Sequence, residues 1–226
     1  DTSIETIAEE IEKDPAITSD LVRLSNSAGF ISGKRIYNVA DAVKTVGLKN
    51  VRALLLVSSA RKIMDTRYKK FEEIWEHCNR VSAYCRHLAH EYHLLSAFEN
   101  IAIAGLLHDL GMIVLLSTDT DLVKSVASLT RDKKLINSTI LEEVYIGISH
   151  SALGGIIARR WNFPDYLIEA IQHHHSPYDA SKEFRDIVYA VYLANMLVGI
   201  EEKKYEYYFI EHAVLKRFKL DGGDKI

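Results

Sequence analysis

Six residues of this chain, His77, His108, Asp109, His150, His174 and His175, bring imidazole and carboxylate chemistry to positions flanked by apolar residues expected to face a core. The central stretch is Ile101-Ala-Ile-Ala-Gly-Leu-Leu-His-Asp-Leu-Gly111, whose continuous apolar run predicts a helix buried on all sides and stopped by Gly111. A buried imidazole beside a buried carboxylate must be compensated, because an unpaired buried charge is costly or fails to ionise. The compensation is a metal ion, the other member of the pair, or polar groups of neighbouring helices. A mixed nitrogen and oxygen donor set suits one divalent transition metal, such as iron, manganese, zinc or nickel, and leans to a higher coordination number than structural zinc. One such histidine is more often a satisfied core residue. Six donors from separate helices or helix ends are harder to explain that way.

The elements that must position these donors read as helices. Apolar residues recur at three- and four-residue spacing, prolines number only three, and no hairpin signal lies between alternating strands, so the expected fold class is all-α. Trp75, Cys78, Val81, Tyr84, Cys85 and Leu88 form one stripe from Phe71 onward, with His77 beside it. Cys78 and Cys85 are about 10 Å apart by helix rise, too far for a disulfide, and read as inert core thiols of a reducing compartment. A helix starts near Ser138 or Thr139, with Glu142 placed to reach back as a capping box. His150 follows among glycines that permit close helix packing. Pro164 opens a helix that closes on His173-His-His175, and Phe184 to Val198 forms another, with Asn195 in its middle and Gly199 as its stop. A short helix is expected over Ile210 to Phe218. His87, His90 and His93 read as solvated surface.

Toward the N-terminus, Ile4, Ile7, Ala8 and Ile11 share one helix face before Asp14-Pro15. Ile17, Leu21, Val22 and Leu24 form the next stripe, which ends in the turn-forming Ser25-Asn-Ser-Ala-Gly29. Asn38 or Asp41 starts a helix that breaks at Gly47, and Val51 to Ile63 is apolar almost all round. The basic stretch Arg61 to Lys70 is the best junction. It divides a unit over 1–220 into an N-terminal lobe, 1–66, and a second lobe, 67–220, with a frayed tail at 221–226.

The 226 residues are 48% hydrophobic and 26% charged, enough to bury a real core, and the net charge of −3 gives no basic footprint for nucleic acid or an anionic membrane. No apolar run reaches the roughly 18–20 residues of a spanning helix, and Asp1-Thr-Ser-Ile-Glu5 lacks a signal-peptide pattern, so the expected protein is soluble and cytoplasmic. The start without methionine suggests a trimmed chain.

The His77, His108-Asp109 and Leu193-Ala-Asn195 pattern resembles the HD superfamily of metal-dependent phosphohydrolases. More closely, the chain resembles the HDOD domain, the HD-related output domain of bacterial signalling proteins. The motifs are Asp14-Pro-Ala-Ile17, Leu24-Ser-Asn-Ser-Ala28, Ala42-Val-Lys-Thr-Val-Gly47, Leu106-Leu-His-Asp-Leu-Gly111, His150 ahead of Trp161-Asn-Phe-Pro164, and Ala170-Ile171 followed by His174-His175 and Pro177. The resemblance covers roughly residues 4–200.

It implies a two-lobed helical bundle with an HD-like C-terminal lobe. In catalytic relatives the positions of His77, His108, Asp109 and Asn195 hold a metal that activates water, and those of His150, His174 and His175 help hold a second ion in cyclic-dinucleotide phosphodiesterases. This chain departs from them at Asn195, where an aspartate is expected, at Met112, where a lysine is expected, and after His175, where no Gly-Tyr-Pro follows. HDOD proteins are generally regarded as non-catalytic, so the resemblance implies a signal-transduction module. Its pocket would hold one divalent metal or none, and its partners would be kinase, receiver or cyclic-dinucleotide regulatory domains. The other reading is a metal-dependent phosphohydrolase acting on a nucleotide or cyclic dinucleotide.

Overall fold

The predicted stripes fold as helices in the computed structural model. It describes residues 3–13, 17–18, 21–22, 25, 36, 38–48, 50–52, 54–55, 70–92, 94, 98–118, 121–122, 125–126, 128–129, 138–161, 163–204 and 206–222. Among these residues there is no strand. The chain divides into two compact units, Asp1–Tyr68 and Lys69–Ile226. Asp14-Pro-Ala16, Leu24, Asn26-Ser-Ala28, residues 61–69 of the expected junction and His93 lie outside the described residues.

In the first unit, α1 (Ile4–Glu12) begins at Ser3, whose hydroxyl accepts from the Thr6 N–H at 3.2 Å. Helix α2 (Val39–Val46) is capped by Asn38, which accepts from the Asp41 N–H at 2.8 Å, so Asn38 rather than Asp41 is the start. Gly47 closes it at φ 81°, in the left-handed region a glycine enters without steric cost. Ala8 and Ile11 of α1 and Val39, Ala42, Val43 and Val46 of α2 are buried, and the two helices pack together.

The second unit contains α3 (Lys70–Glu91), α4 (Phe98–Leu107), α5 (Leu110–Thr118), α6 (Ser138–Ile146), α7 (His150–Arg160), α8 (Asp165–His173), α9 (Arg185–Glu201) and α10 (His212–Arg217). Its core is built where α4 and α9 lie against α3, and α8 against α4. Gly105 lets α3 and α4 approach so closely that an added Cβ would stand 2.7 Å from Cys85 Sγ. Ser82 of α3 donates to the Ala102 carbonyl of α4 at 2.8 Å across this contact. Cys78 and Cys85 are buried free thiols.

Two expected helix stops are corrected. Gly111 does not end the central helix: α4 ends at Leu107, the chain turns through His108-Asp109, and Gly111 lies in the first turn of α5. A glycine is needed there for packing, since an added Cβ would overlap the His150 carbonyl oxygen and stand 2.6 Å from the Gly154 nitrogen. Gly199 likewise does not stop α9, which continues to Glu201 and closes with Glu202 as its C-cap, because tertiary packing overrides a single glycine's weak preference. Among the described residues no single helix is long and apolar enough to cross a membrane.

Candidate metal centre

His108 and His174 each occupy the position just beyond a helix C-terminus, after α4 and α8 respectively. The last carbonyls of a helix have no partner within it, and an imidazole N–H can supply one. His108 Nδ1 lies 2.8 Å from the Gly105 carbonyl, and His174 Nδ1 lies 2.8 Å from the Ile171 carbonyl. In both cases Nδ1 donates to the carbonyl, so Nε2 is the atom turned to the interior.

Asp109 accepts the first backbone hydrogen bonds of α5, from Met112 at 3.0 Å and Ile113 at 3.3 Å, which puts its carboxylate near the positive end of that helix. The two carboxylate oxygens face opposite ways. Oδ2 lies 3.3 Å from His108 Nε2 and 3.8 Å from His77 Nε2; Oδ1 lies 3.4 Å from His150 Nε2 and 3.5 Å from His174 Nε2. His150 Nε2 is also 3.1 Å from His174 Nε2 and 3.2 Å from His175 Nε2.

Five imidazoles from α3, the α4–α5 turn, α7 and the end of α8 therefore aim Nε2 atoms at or beside one carboxylate. They form two donor groups, His77-His108-Asp109 and His150-His174-His175. The expected residues His77, His108, Asp109, His150, His174 and His175 are all brought together. Asn195 is buried in α9, and no hydrogen bond among the described residues joins its side chain to the imidazoles. His87 and His90 are exposed on α3, as expected.

Two carboxylates near the pocket were not anticipated. Glu142 does not cap α6. It is buried and turns inward, where Oε2 accepts from the His150 N–H at 2.7 Å, and its oxygens lie 2.7 and 2.9 Å from His150 Nδ1. Glu202 lies with Oε1 3.9 Å from His77 Nδ1, and Arg80 donates to that same oxygen at 2.8 Å. Arg80 also bonds Glu201, as does the Tyr84 hydroxyl.

Burial opposes charge at His108, His150, His174 and His175, and the neighbouring carboxylates decide at which of these four charge survives. At His108 the adjacent Asp109 outweighs burial and holds the pKa well above the ordinary value. At His150, hydrogen bonds to Asp109 and Glu142 outweigh burial and raise it to about 9. Burial prevails at His174, lowered to about 4, and at His175, where the neighbouring imidazoles add to the depression. Burial would raise the Asp109 pKa, but His108 and the hydrogen bonds from His108, His150 and His174 hold it well below the usual carboxylate range.

The residues fit a cation. His108 Nε2 is buried and stands 3.3 Å from Asp109 Oδ2, beyond a good hydrogen bond, and the Nε2 atoms of His174 and His175 both lie within 3.2 Å of His150 Nε2, more nitrogens than one proton can satisfy. Converging lone pairs and a carboxylate are satisfied by protons or by a metal ion of borderline softness.

A family model of the HDOD domain matches residues 1–177. The chain belongs to the HDOD family. An uncharacterised protein of Treponema pallidum (strain Nichols) is 26% identical over all 226 residues, and the HDOD chain spans only 44% of that relative's length. Among solved structures, an HDOD domain protein of unknown function from Geobacter sulfurreducens aligns with a TM-score of 0.68 at 21% identity, covering 100% of this chain and 79% of the other. A protein from Marinobacter aquaeolei VT8, named as a candidate signal transduction protein, gives 0.67 at 19% identity, covering 98% of this chain and 50% of the other. A protein from Shewanella amazonensis SB2B, named as a candidate phosphohydrolase, gives 0.64 at 19% identity, covering 98% and 78%. At these identities the structures establish the shared helical fold.

Proposed function

We propose that this HDOD chain is a non-catalytic regulatory module whose His/Asp pocket holds a divalent transition metal ion as an internal structural element. The observation that carries the reading is the convergence of five Nε2 atoms on or beside Asp109, with the Nδ1 atoms of His108, His150 and His174 held by outer acceptors. A bound cation would supply fixed positive charge to Asp109 and, toward a phosphate ester, Lewis acidity.

Two features weigh against turnover. Met112, one turn from Asp109, packs into an apolar cluster with Leu115, Leu116, Ile74 and Leu153, so no cation is offered there to a phosphate. The donors are also enclosed: the His108, His150 and His174 side chains are at most 2% exposed, against 15% for Asp109 and 17% for His77. The surfaces of the helical units would then carry the signal to a kinase, receiver or other regulatory domain.

The phosphohydrolase reading is favoured by one observation, that the two oxygens of Asp109 face the two donor groups separately, as a carboxylate bridging two ions would. Elemental analysis and a phosphodiesterase assay decide between them. The regulatory reading expects bound metal without metal-stimulated hydrolysis of cyclic dinucleotides, nucleotides or a generic phosphodiester. Hydrolysis that disappears in His108→Ala and Asp109→Ala overturns it.

A further inference from the structure

Glu142 presents an unusual combination. It lies on α6 between the exposed Ile140 and Val144, yet it is itself buried, and among the described residues its side-chain hydrogen bonds go to His150. A buried carboxylate is a cost to the fold unless a compensating charge or hydrogen-bond donor repays it. Here both donors come from one residue, the backbone N–H and Nδ1 of His150, which fixes the ring at its backbone and at one edge.

The consequence falls on the opposite edge of that ring. With Nδ1 donating to Glu142, the Nε2 lone pair is set 3.1 Å from His174 Nε2, 3.2 Å from His175 Nε2 and 3.4 Å from Asp109 Oδ1. Three neutral imidazoles carry no negative charge of their own. An outer carboxylate bound to one of them raises its basicity and offsets part of a cation's charge.

The two donor groups differ in how well they are held. His150 and His174 both have their Nδ1 atoms hydrogen-bonded and their side chains buried, whereas in the other group only His108 is held in this way and His77 has a buried Nδ1 without a hydrogen-bond partner and a partly exposed side chain. A site already fixed in its binding geometry loses less freedom when it takes up its ligand.

We propose that Glu142 is a positioning residue that makes His150, His174 and His175, with Asp109, the first seat for a divalent cation. This rests on the cation pocket proposed above and adds which half fills first and which residue makes it do so. The cation class is a borderline transition metal, cobalt or zinc, matched to three imidazoles and one carboxylate oxygen.

The test is a Co2+ titration of the metal-free full chain, followed by visible absorption, in the wild type and in Glu142→Gln. The expected result is that the first equivalent binds about 10- to 100-fold more weakly in the variant. Equal affinity among folded molecules overturns the inference and leaves the pocket standing, even if the variant melts at a lower temperature. No uptake by the wild type overturns the pocket, and this inference with it. Should Glu142→Gln not fold, the wild type still decides, by nitrogen NMR of the zinc-loaded chain. A proton on His150 Nδ1 with Nε2 bound to metal supports the assignment, and a proton on Nε2 overturns it.

Discussion

His150 Nε2 and His174 Nε2 stand 3.1 Å apart with Asp109 Oδ1 within 3.5 Å of each. Both nitrogens cannot hold protons at that separation without repulsion, and neither is satisfied if both are bare. One proton held between them or one shared cation resolves the conflict, and the pair is therefore the most direct reporter of what the pocket contains.

Metal removal is the first test. A cation that binds the folded chain and not the unfolded one stabilises it by about 2.7 kcal/mol at a hundredfold excess over Kd. Chelation should lower the melting temperature by several degrees, and re-addition of zinc or cobalt should restore it. An unchanged melting temperature counts against the pocket.

The metal-free chain should show a specific pH dependence. His150 has its pKa raised from 6.5 to about 9, so the native state holds the extra proton and the resulting stability is complete below 6.5 and lost as pH rises through about 9. His174 has the opposite sign: its pKa is lowered to about 4, so stability is lost as pH falls from 6.5 toward 4. Melting of the chelated protein should peak between these limits. Excess zinc should flatten the alkaline limb, because the metal replaces the His150 proton.

Asp109→Asn removes the one carboxylate that, among the described residues, faces both donor groups. Bound metal measured by elemental analysis should fall at least about tenfold at fixed free metal concentration. Retention of wild-type occupancy would show that the imidazoles suffice.

Asn195→Asp places a carboxylate on the buried face of α9, where a neutral amide now stands. Metal occupancy should rise while phosphodiester hydrolysis stays at background, since Met112 still faces apolar neighbours. Hydrolysis gained by this single change would show that one ligand separates the regulatory reading from a phosphohydrolase.

Phe218 closes α10, is fully buried and meets Tyr92 edge-on at 5.0 Å between ring centroids. Phe218→Ala should destabilise the second unit by about 3–5 kcal/mol in denaturant unfolding. A change below about 1 kcal/mol would show that the C-terminal segment is not anchored there.

Most of the second unit's helices were legible because their apolar spacing and caps agree with their packing, as Pro164 ahead of α8 and the stripe of α3 illustrate. The donors His77, His108, Asp109, His150, His174 and His175 were legible for a different reason, a polar group set repeatedly against apolar sequence. Glu142 was not. On α6 the apolar Ile140, Val144 and Tyr145 are exposed while Glu142 is buried, so periodicity there points the wrong way and a capping pattern offers an easier explanation. Its one available signal is the eight-residue reach from Glu142 to His150, across the 82° bend between α6 and α7 at Gly147, φ 89°. Gly111 and Gly199 misled as helix stops because a glycine's backbone freedom and its small size have the same letter in a sequence, and only the neighbouring helix shows which is used.

The crossing of α5 and α7 at Gly111 and Gly154 acts as a fulcrum for the donors. Asp109 sits two residues before it on one arm, and His150 starts the other arm with its carbonyl resting against Gly111. A methyl group added at Gly111 would have to displace the His150 carbonyl, so the spacing between His150 and Asp109 is set by how tightly two bare backbones are pressed together.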